Sequence, residues 1–334
     1  MKIIIPMAGK GKRMRPHTLT TPKPLIKIAG KTIVHHLLYE IRDVLDEPID
    51  EINFIIGNFG DHVEEELKAL AGELGATPKI SYQETALGTA HAVHCAASSL
   101  QGKVIVAFSD TLFKARFTLD TRSDGIIWTK KVDDPSSFGV VKKDTDGYVD
   151  GFYEKPGTFV SDEAIIGVYY FREGEKLKEE IEYLMENRIT GNGEYQLTDA
   201  LENLRKNGKR FTTSVVDEWY DCGNKEATVS TNKEILKYLD SSVLTSGTAQ
   251  IRNSVVREPC YIGENVVIED SVIGPYVSLG NNTRIENSLV NNSIIQSDVS
   301  LKGINVENSM IGNHVNIEGN PTDMSVGDYT NIKL

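Results

Sequence analysis

Asn253-Ser254-Val255-Val256, Asp270-Ser271-Val272-Ile273 and Asn287-Ser288-Leu289-Val290 follow one another at intervals of seventeen residues. Around this echo aliphatic residues recur every five or six positions, at Ile262, Ile268, Ile273, Leu279 and Ile285, then at Ile295, Leu301, Val306, Ile311 and Ile317. Seventeen residues are therefore one coil of three short strands, and hexapeptide-like repeats of this kind predict a parallel β-helix. In such a coil each inward Ile, Val or Leu stacks on its equivalents above and below, contributing roughly 1.5–3 kcal/mol by burial. Asn and Gly suit the corners, where left-handed backbone costs them least. Composition points the same way: all ten Phe and both Trp precede the helical segment Lys233 to Leu239, and thirteen Asn follow Thr248. The repeats cannot pack around large aromatic side chains. A β-sandwich of short strands is the competing arrangement.

Upstream the pattern differs. Lys2 to Ile5 is a short apolar strand running into the glycine-rich turn Pro6-Met7-Ala8-Gly9-Lys10-Gly11. Apolar residues at Ile33, Val34, Leu37, Leu38, Ile41, Val44 and Leu45 predict a helix from Thr32, its candidate cap, to Leu45. Strands over Ile52 to Ile56, Lys79 to Gln83 and Val104 to Phe108 alternate with helices over Val63 to Leu74 and Ala90 to Leu100. That alternation predicts an α/β, Rossmann-like sheet with helices on both faces and ligands at the strand carboxyl ends. Closely spaced strands between Gly125 and Phe171 predict an antiparallel insertion. Two domains are expected, 1–245 and 246–334, in keeping with a chain of 334 residues.

The net charge of -12 argues against a general nucleic-acid or anionic-membrane binder. No apolar run approaches a bilayer span and the N-terminus has no signal-peptide core, so a cytoplasmic protein is expected. Cys95, Cys222 and Cys260 are widely separated and outside metal-ligand spacing, which reads as reduced thiols. The charge is unevenly spread. No acidic residue precedes Glu40, yet Lys2, Lys10, Lys12, Arg13, Arg15, Lys23, Lys27 and Lys31 do, leaving 28 basic against 48 acidic residues in the rest. A solvated basic face is the bland explanation. Here, however, the cations interleave with Gly9, Gly11, Pro16, Pro22 and Pro24 rather than with helical spacing, which implies a rigid loop. In Gly9-Lys10-Gly11-Lys12-Arg13, two glycines let backbone N–H groups approach an anion and the guanidinium can clamp phosphate oxygens. Met14 stands where a dinucleotide fingerprint needs its third glycine, and the spacing is not that of a P-loop. Lys23 lies between two prolines that fix its backbone.

This G-x-G-x-R loop followed by Pro22-Lys23-Pro24 resembles the opening of the sugar-1-phosphate nucleotidyltransferases. The resemblance continues in order through Gln83, Leu87-Gly88-Thr89-Ala90-His91-Ala92, Ser109-Asp110, Phe138-Gly139-Val140-Val141, Glu154-Lys155-Pro156, Gly167 and Trp219-Tyr220-Asp221-Cys222-Gly223. It spans about the first 225 residues, and the repeats resemble the left-handed β-helix of several subfamilies. The resemblance implies attack by a sugar 1-phosphate on the α-phosphorus of a nucleoside triphosphate, with release of pyrophosphate. It implies Arg13 and Lys23 as catalytic cations, and Ala8, Gly9, Gly11, Gln83, Gly88 and Thr89 as nucleotide-binding. Gly139, Glu154, Lys155 and Gly167 would hold the sugar phosphate, and Asp110 and Asp221 would hold Mg²⁺. Singly, each aspartate also reads as a cap or turn residue, and Gln83 as a surface side chain. Glu194-Tyr195-Gln196-Leu197-Thr198-Asp199 resembles a segment near the sugar site and is given no catalytic role, while His91 reads as structural.

The substrates expected are glucose 1-phosphate with UTP or dTTP. Mannose-1-phosphate guanylyl transfer, N-acetylglucosamine-1-phosphate uridylyl transfer and a silent regulatory subunit are the alternatives. A second, acetyltransferase activity finds only His314 among the repeats as a general base. Otherwise the β-helix reads as an oligomerisation or regulatory module, and a homo-oligomer is expected.

Overall fold

The computed structural model describes residues 1–191, 193–240, 244–319 and 324–333. They pack into two compact units, Met1–Gly9 with Leu37–Trp219 and Lys10–His36 with Tyr220–Leu334. In chain order the elements before the repeats begin with β1 (Lys2–Pro6), β2 (Lys27–Ile28), β3 (Lys31–Thr32), α1 (Ile33–Asp43), β4 (Glu51–Ile56), α2 (Asp61–Glu73) and β5 (Thr77–Tyr82). Then come α3 (Thr89–His94), β6 (Val104–Ala107), β7 (Thr111–Lys114), β8 (Gly125–Lys131), β9 (Gly139–Lys143), β10 (Val149–Glu154) and β11 (Glu163–Phe171). The series closes with α4 (Gly174–Glu186), α5 (Leu197–Lys206), β12 (Phe211–Val215), β13 (Glu218–Asp221) and α6 (Lys225–Tyr238).

The first unit is a mixed sheet in the order β10-β9-β11-β6-β1-β4-β5. Strands β6, β1, β4 and β5 are parallel, with Ile3 opposite both Ile52 and Ile105. The runs of Ile, Val and Phe in β1, β4 and β6 are buried, as strands covered on both faces must be. The closely spaced strands form the antiparallel half: β11 pairs antiparallel with β6, β8 and β9, and β12 adds to β8 in parallel. Ile4, Val104 and Val106 join one core with Ala90 and Val93 of α3, Leu177 and Ile181 of α4, and Leu201 of α5. Because β1, β4, β5 and β6 share one direction, the turns after them, at Met7, Gly57, Gln83 and Phe108, gather at one edge.

In the second unit three parallel sheets wind as the left-handed β-helix, with strands such as those of Ile268, Ile285, Leu301 and Ile317 in register. All ten aliphatics expected to point inward are buried. The seventeen-residue step holds from Ile251 to Ile268 to Ile285, then shortens to sixteen at Leu301 and Ile317. Corners fall on Asn253, Asp270, Asn287, Asn265, Asn282 and His314, all left-handed. The serines of the echo tie coil to coil: Ser254 Oγ accepts the Ser271 N–H and Ser271 Oγ the Ser288 N–H, each at 3.0 Å.

Two helices differ from their periodic reading. Thr32 does cap α1, its Oγ1 accepting the His35 N–H at 3.2 Å. But α6 begins eight residues before Lys233, capped by Asn224, whose Oδ1 accepts the Ala227 N–H at 2.8 Å. The apolar stripe is broken there because α6 buries Thr228, Thr231 and Asn232, which find polar partners instead. Helix α3 stops at His94, and Ala97–Ser99 forms a separate 3-10 turn. Cys95, Cys222 and Cys260 form no disulfide. No helix among the described residues is long and apolar enough to cross a membrane.

Candidate active site

In the first unit the predicted residues collect at the carboxyl edge of the parallel strands. The turn after β1 holds Ala8 and Gly9, and the turn after β6 holds Ser109 and Asp110. Ser109 Oγ donates to the Pro6 carbonyl at 3.2 Å, joining these two turns. A Cβ on Gly9 would meet nothing within 4 Å, so the space over this turn is open. Phe108 N–H donates to Gly167 O at 2.9 Å, which brings Gly167 beside the end of β6. Gly167 has φ +87°, a conformation that favours glycine. Tyr169, on the same strand, is buried, and its phenol is pushed up by burial first and then by the charges of Glu154 and Asp110. One phenol therefore senses both carboxylates, and Asp110 itself is exposed.

Gly139 on β9 and Glu154 ending β10 stand opposite each other across the antiparallel pair. A Cβ at Gly139 would stand 3.2 Å from Glu154 Oε2 and 3.7 Å from Thr198 Cγ2. Thr198, in the first turn of α5, donates to Glu154 Oε2 at 3.4 Å. Burial raises the Glu154 carboxyl; Lys155 and Thr198 work against that rise and Asp199 adds to it. Asp199 is raised by burial alone. Lys155 takes a left-handed φ of +42°, unusual for a side chain with a Cβ, and its Nζ stands 3.9 Å from Glu154 Oε1. The segment 194–199, read in the sequence as near the sugar site but without a catalytic role, brings Thr198 and Asp199 beside Glu154. The only signal for them was the run Glu194 to Asp199 itself.

Gln83 follows β5. Its Nε2 lies 3.5 Å from the Gly88 carbonyl and 3.1 Å from His91 Nδ1. A carbonyl can only accept, so the amide must present its N–H₂ to this side, and His91 Nδ1 must also be an acceptor. Burial, aided by neighbouring His94, lowers the His91 pKa and favours that neutral ring. With both N–H groups committed, Gln83 offers a ligand only its Oε1 acceptor. His91 is the residue that composition alone could not distinguish from a core histidine. Gly88, at φ +115°, is required by the protein: a Cβ there would lie 2.6 Å from Tyr195 N. Tyr195 N–H donates to Leu87 O at 2.8 Å, and Thr89 Oγ1 accepts the Leu197 N–H at 2.9 Å, stitching this segment to 194–197.

The second unit holds Gly11, Arg13, Lys23 and Asp221. Gly11 is left-handed at φ +54°, and a Cβ there would stand 2.9 Å from Thr18 Cγ2 and 3.2 Å from Lys23 Cβ. Thr18 Oγ1 donates back to Gly11 O at 2.8 Å. The glycine turn is thereby pressed against Lys23, whose flanking Pro22 and Pro24 start a 3-10 turn over Lys23–Leu25. Gly223, to which the motif itself assigns no role, is where Arg13 and Asp221 converge. Its missing Cβ would lie 2.9 Å from both Asp221 carboxylate oxygens and 3.1 Å from Arg13 Nη2. Asp221 is further fixed by Thr231 Oγ1, which donates to its backbone carbonyl at 2.8 Å.

His17, between these cations in sequence, is 4% exposed and held at Nε2 by Ser325 Oγ at 3.0 Å. Burial lowers its pKa to about 4, against a raising effect of Asp328 and with a lowering one from Lys225. A depressed pKa means the unfolded chain binds the extra proton, so the stability His17 confers is present above pH ~6.5 and lost as pH falls through about 4. The expected loss over that window is on the order of 3 kcal/mol. Thermal melting across pH 7 to 4 should show this slope in the parent chain and a flatter one in His17→Gln; parallel curves would refute it.

A Rossmann-like sheet whose strand ends carry carboxylates and glycines, joined in one chain to a G-x-G-x-R turn and a β-helix, defines a sugar-1-phosphate nucleotidyltransferase. The family model described as Nucleotidyl transferase matches residues 2–238, and the chain belongs to that family. Among curated relatives it is similar to a glucose-1-phosphate thymidylyltransferase of Streptomyces antibioticus, at 29% identity over all of this chain and 99% of that one. It also resembles the bifunctional protein GlmU of Methanococcus maripaludis, at 31% identity over 82% of this chain and 61% of that longer one. Among solved structures, a UDP-glucose pyrophosphorylase complexed with UDP-glucose superimposes with a TM-score of 0.58 at 21% identity, covering 71% of this chain and 99% of that chain, a likeness of fold.

Proposed function

We propose that this enzyme transfers a uridylyl or thymidylyl group from UTP or dTTP to glucose 1-phosphate, giving the nucleotide sugar and pyrophosphate. The observation that carries the base assignment is the held amide of Gln83. An Oε1 acceptor pairs with a ring N–H, which uracil, thymine and guanine carry and which cytosine and adenine lack, leaving the acceptor unpaired; full-length relatives named for thymidylyl transfer favour the pyrimidines over guanine. The glucose assignment is supported by full-length relatives named for that sugar phosphate and by Glu154 and Thr198 as hydroxyl partners beside Gly139.

The obstacle to the reaction is repulsion between anions. Two unit charges about 4 Å apart interact by roughly 4 kcal/mol at an effective dielectric of 20, and the substrates carry several. Arg13 is assigned to the β- and γ-phosphates, Lys23 to the α-phosphate and the attacking oxygen, and Lys155 to the sugar phosphate. No general base is needed, since the phosphate nucleophile is anionic at neutral pH; orientation and fixed positive charge lower the barrier. Among the described residues no three His, Cys, Asp or Glu side chains gather as a metal site. Asp110 and Asp221 are exposed carboxylates. Hard oxygen donors of this kind suit Mg²⁺, which keeps most of its shell for phosphate and water and would neutralise phosphate charge. The catalytic reading is assigned to 1–245 and the β-helix to 246–334.

The test is a matrix of four triphosphates against glucose, mannose, galactose and N-acetylglucosamine 1-phosphates with Mg²⁺. UTP or dTTP with glucose 1-phosphate should give the highest kcat/KM, exceeding CTP by at least about tenfold, the scale of one lost hydrogen bond. His91→Leu, which frees the Gln83 amide to turn, should erode that ratio. Preference for CTP or ATP would overturn the base assignment, and preference for GTP with mannose 1-phosphate the substrate pair.

A further inference from the structure

The segment bearing Arg13 and Lys23 has little structure of its own. It consists of three 3-10 turns of three residues each, Lys12–Met14, His17–Leu19 and Lys23–Leu25, followed by the two-residue strands β2 and β3. Turns this short have poor hydrogen-bond geometry and do not hold a conformation unaided. Support comes from the β-helix and α6. Gln296 Nε2 donates to Lys27 O at 2.9 Å, and Asn232 Oδ1 accepts both the Ala29 N–H at 2.9 Å and the Ser278 hydroxyl at 2.6 Å. Nearer the cations, His17 meets Ser325 at 3.0 Å, and Asp328 Oδ2 accepts from the hydroxyls of Thr20 and, at 3.5 Å, Thr21. Pro16 presses on the same coil, its Cβ 3.0 Å from where Gly327 would carry one.

Asp328 marks the contact as more than packing. At the equivalent corner of preceding coils the stacking oxygen belongs to an asparagine: Asn281 Oδ1 accepts the Glu264 N–H at 3.0 Å and Asn313 Oδ1 the Ser297 N–H at 3.1 Å. One coil on, Asp328 Oδ1 does the same for the Asn313 N–H at 2.6 Å. A single acceptor suffices for that bond, and asparagine supplies it elsewhere. The carboxylate adds a second acceptor in place of an N–H₂ group, and this second oxygen is the one that takes the threonine hydroxyls.

We propose that the β-helix coil at 325–333 is a positioning element for the reaction, holding residues 10–25 through Asp328 and Ser325 so that Arg13 and Lys23 meet the triphosphate in a fixed geometry. The role rests on the assignment of those two cations to phosphate binding. It gives the β-helix a part in turnover as well as in architecture, through positioning residues that touch no substrate.

The experiment is the double variant Thr20→Val/Thr21→Val in the full chain, which removes the hydroxyls, keeps the branched shape and leaves the Asp328 corner bond intact. Inorganic pyrophosphate is the binding probe, measured by calorimetry, alongside steady-state kinetics. Pyrophosphate affinity should fall about tenfold, the scale of one hydrogen bond to a charged group. KM for the triphosphate should rise in step, KM for the sugar phosphate should rise clearly less, since of the two cations only Lys23 is assigned to its attacking oxygen, and the melting midpoint should move by less than about 2 °C. Thr20→Ser/Thr21→Ser should restore the parent values. Unchanged pyrophosphate affinity in a folded double variant overturns the positioning role, and so does an equal loss for both substrates. If the double variant fails to fold, Thr20→Val alone reads the same quantities. A parent chain that binds no pyrophosphate overturns the phosphate assignment of Arg13 and Lys23, and with it the positioning role; a parent that binds pyrophosphate yet prefers another sugar or base leaves the positioning role standing.

Discussion

Gly223→Ala is expected to lower turnover by about 10–100-fold while the protein melts within a few degrees of the parent, the scale of misplacing reacting groups by up to about 1 Å. Gly223 has no positive φ, so alanine meets no backbone strain. The three atoms nearest the added methyl are side-chain ends, the Asp221 carboxylate oxygens at 2.9 Å and Arg13 Nη2 at 3.1 Å. Those ends can swing aside, which spares the fold, but they leave the positions in which they face each other. Steady-state kinetics with a thermal melt checks the pair of outcomes. Full activity would remove the Arg13–Asp221 convergence from the machinery, and a large drop in melting temperature would make Gly223 a packing glycine.

Asp110→Asn should cost on the order of 10²–10³-fold in turnover, the effect of removing one preorganised charge-stabilising group. The change is isosteric and the side chain is exposed, so stability should change by no more than about 0.5 kcal/mol. The loss should be accompanied by a rise in the Mg²⁺ concentration needed for half-maximal rate, since a carboxamide oxygen is the weaker ligand. An unaltered rate and Mg²⁺ dependence would take Asp110 out of the metal assignment.

Much of this architecture was legible in the sequence because its signals are periodic or local. The inward ladder of the β-helix repeats at fixed spacing, and stacking imposes that spacing on the chain. The strand before Ala8 and Gly9, and the one before Asp110, are short buried runs ended by a turn, and their parallel pairing delivers those turns to one edge. The start of α6 was not legible. Its first turns bury Thr228, Thr231 and Asn232; Thr228 bonds back to the Asn224 carbonyl and Asn232 to Ala29 far along the chain, and buried polar residues satisfied in these ways leave no apolar period to read.

The order of motifs along the chain, from the glycine turn at Gly9 to Asp221, determined by itself the family, the fold class and the candidate residues, because the chemistry of phosphate transfer demands those residue types wherever the backbone carries them. Tertiary structure alone decided which of them constrain one another. That Gln83 is turned by His91, that Gly223 lies where Arg13 and Asp221 meet, and that Asp328 grips Thr20 across 308 residues of chain all depend on directional contacts that motif order leaves open. Hydrogen bonds and van der Waals limits act over about 3 Å, and no pattern in the intervening residues encodes which pairs will come that close.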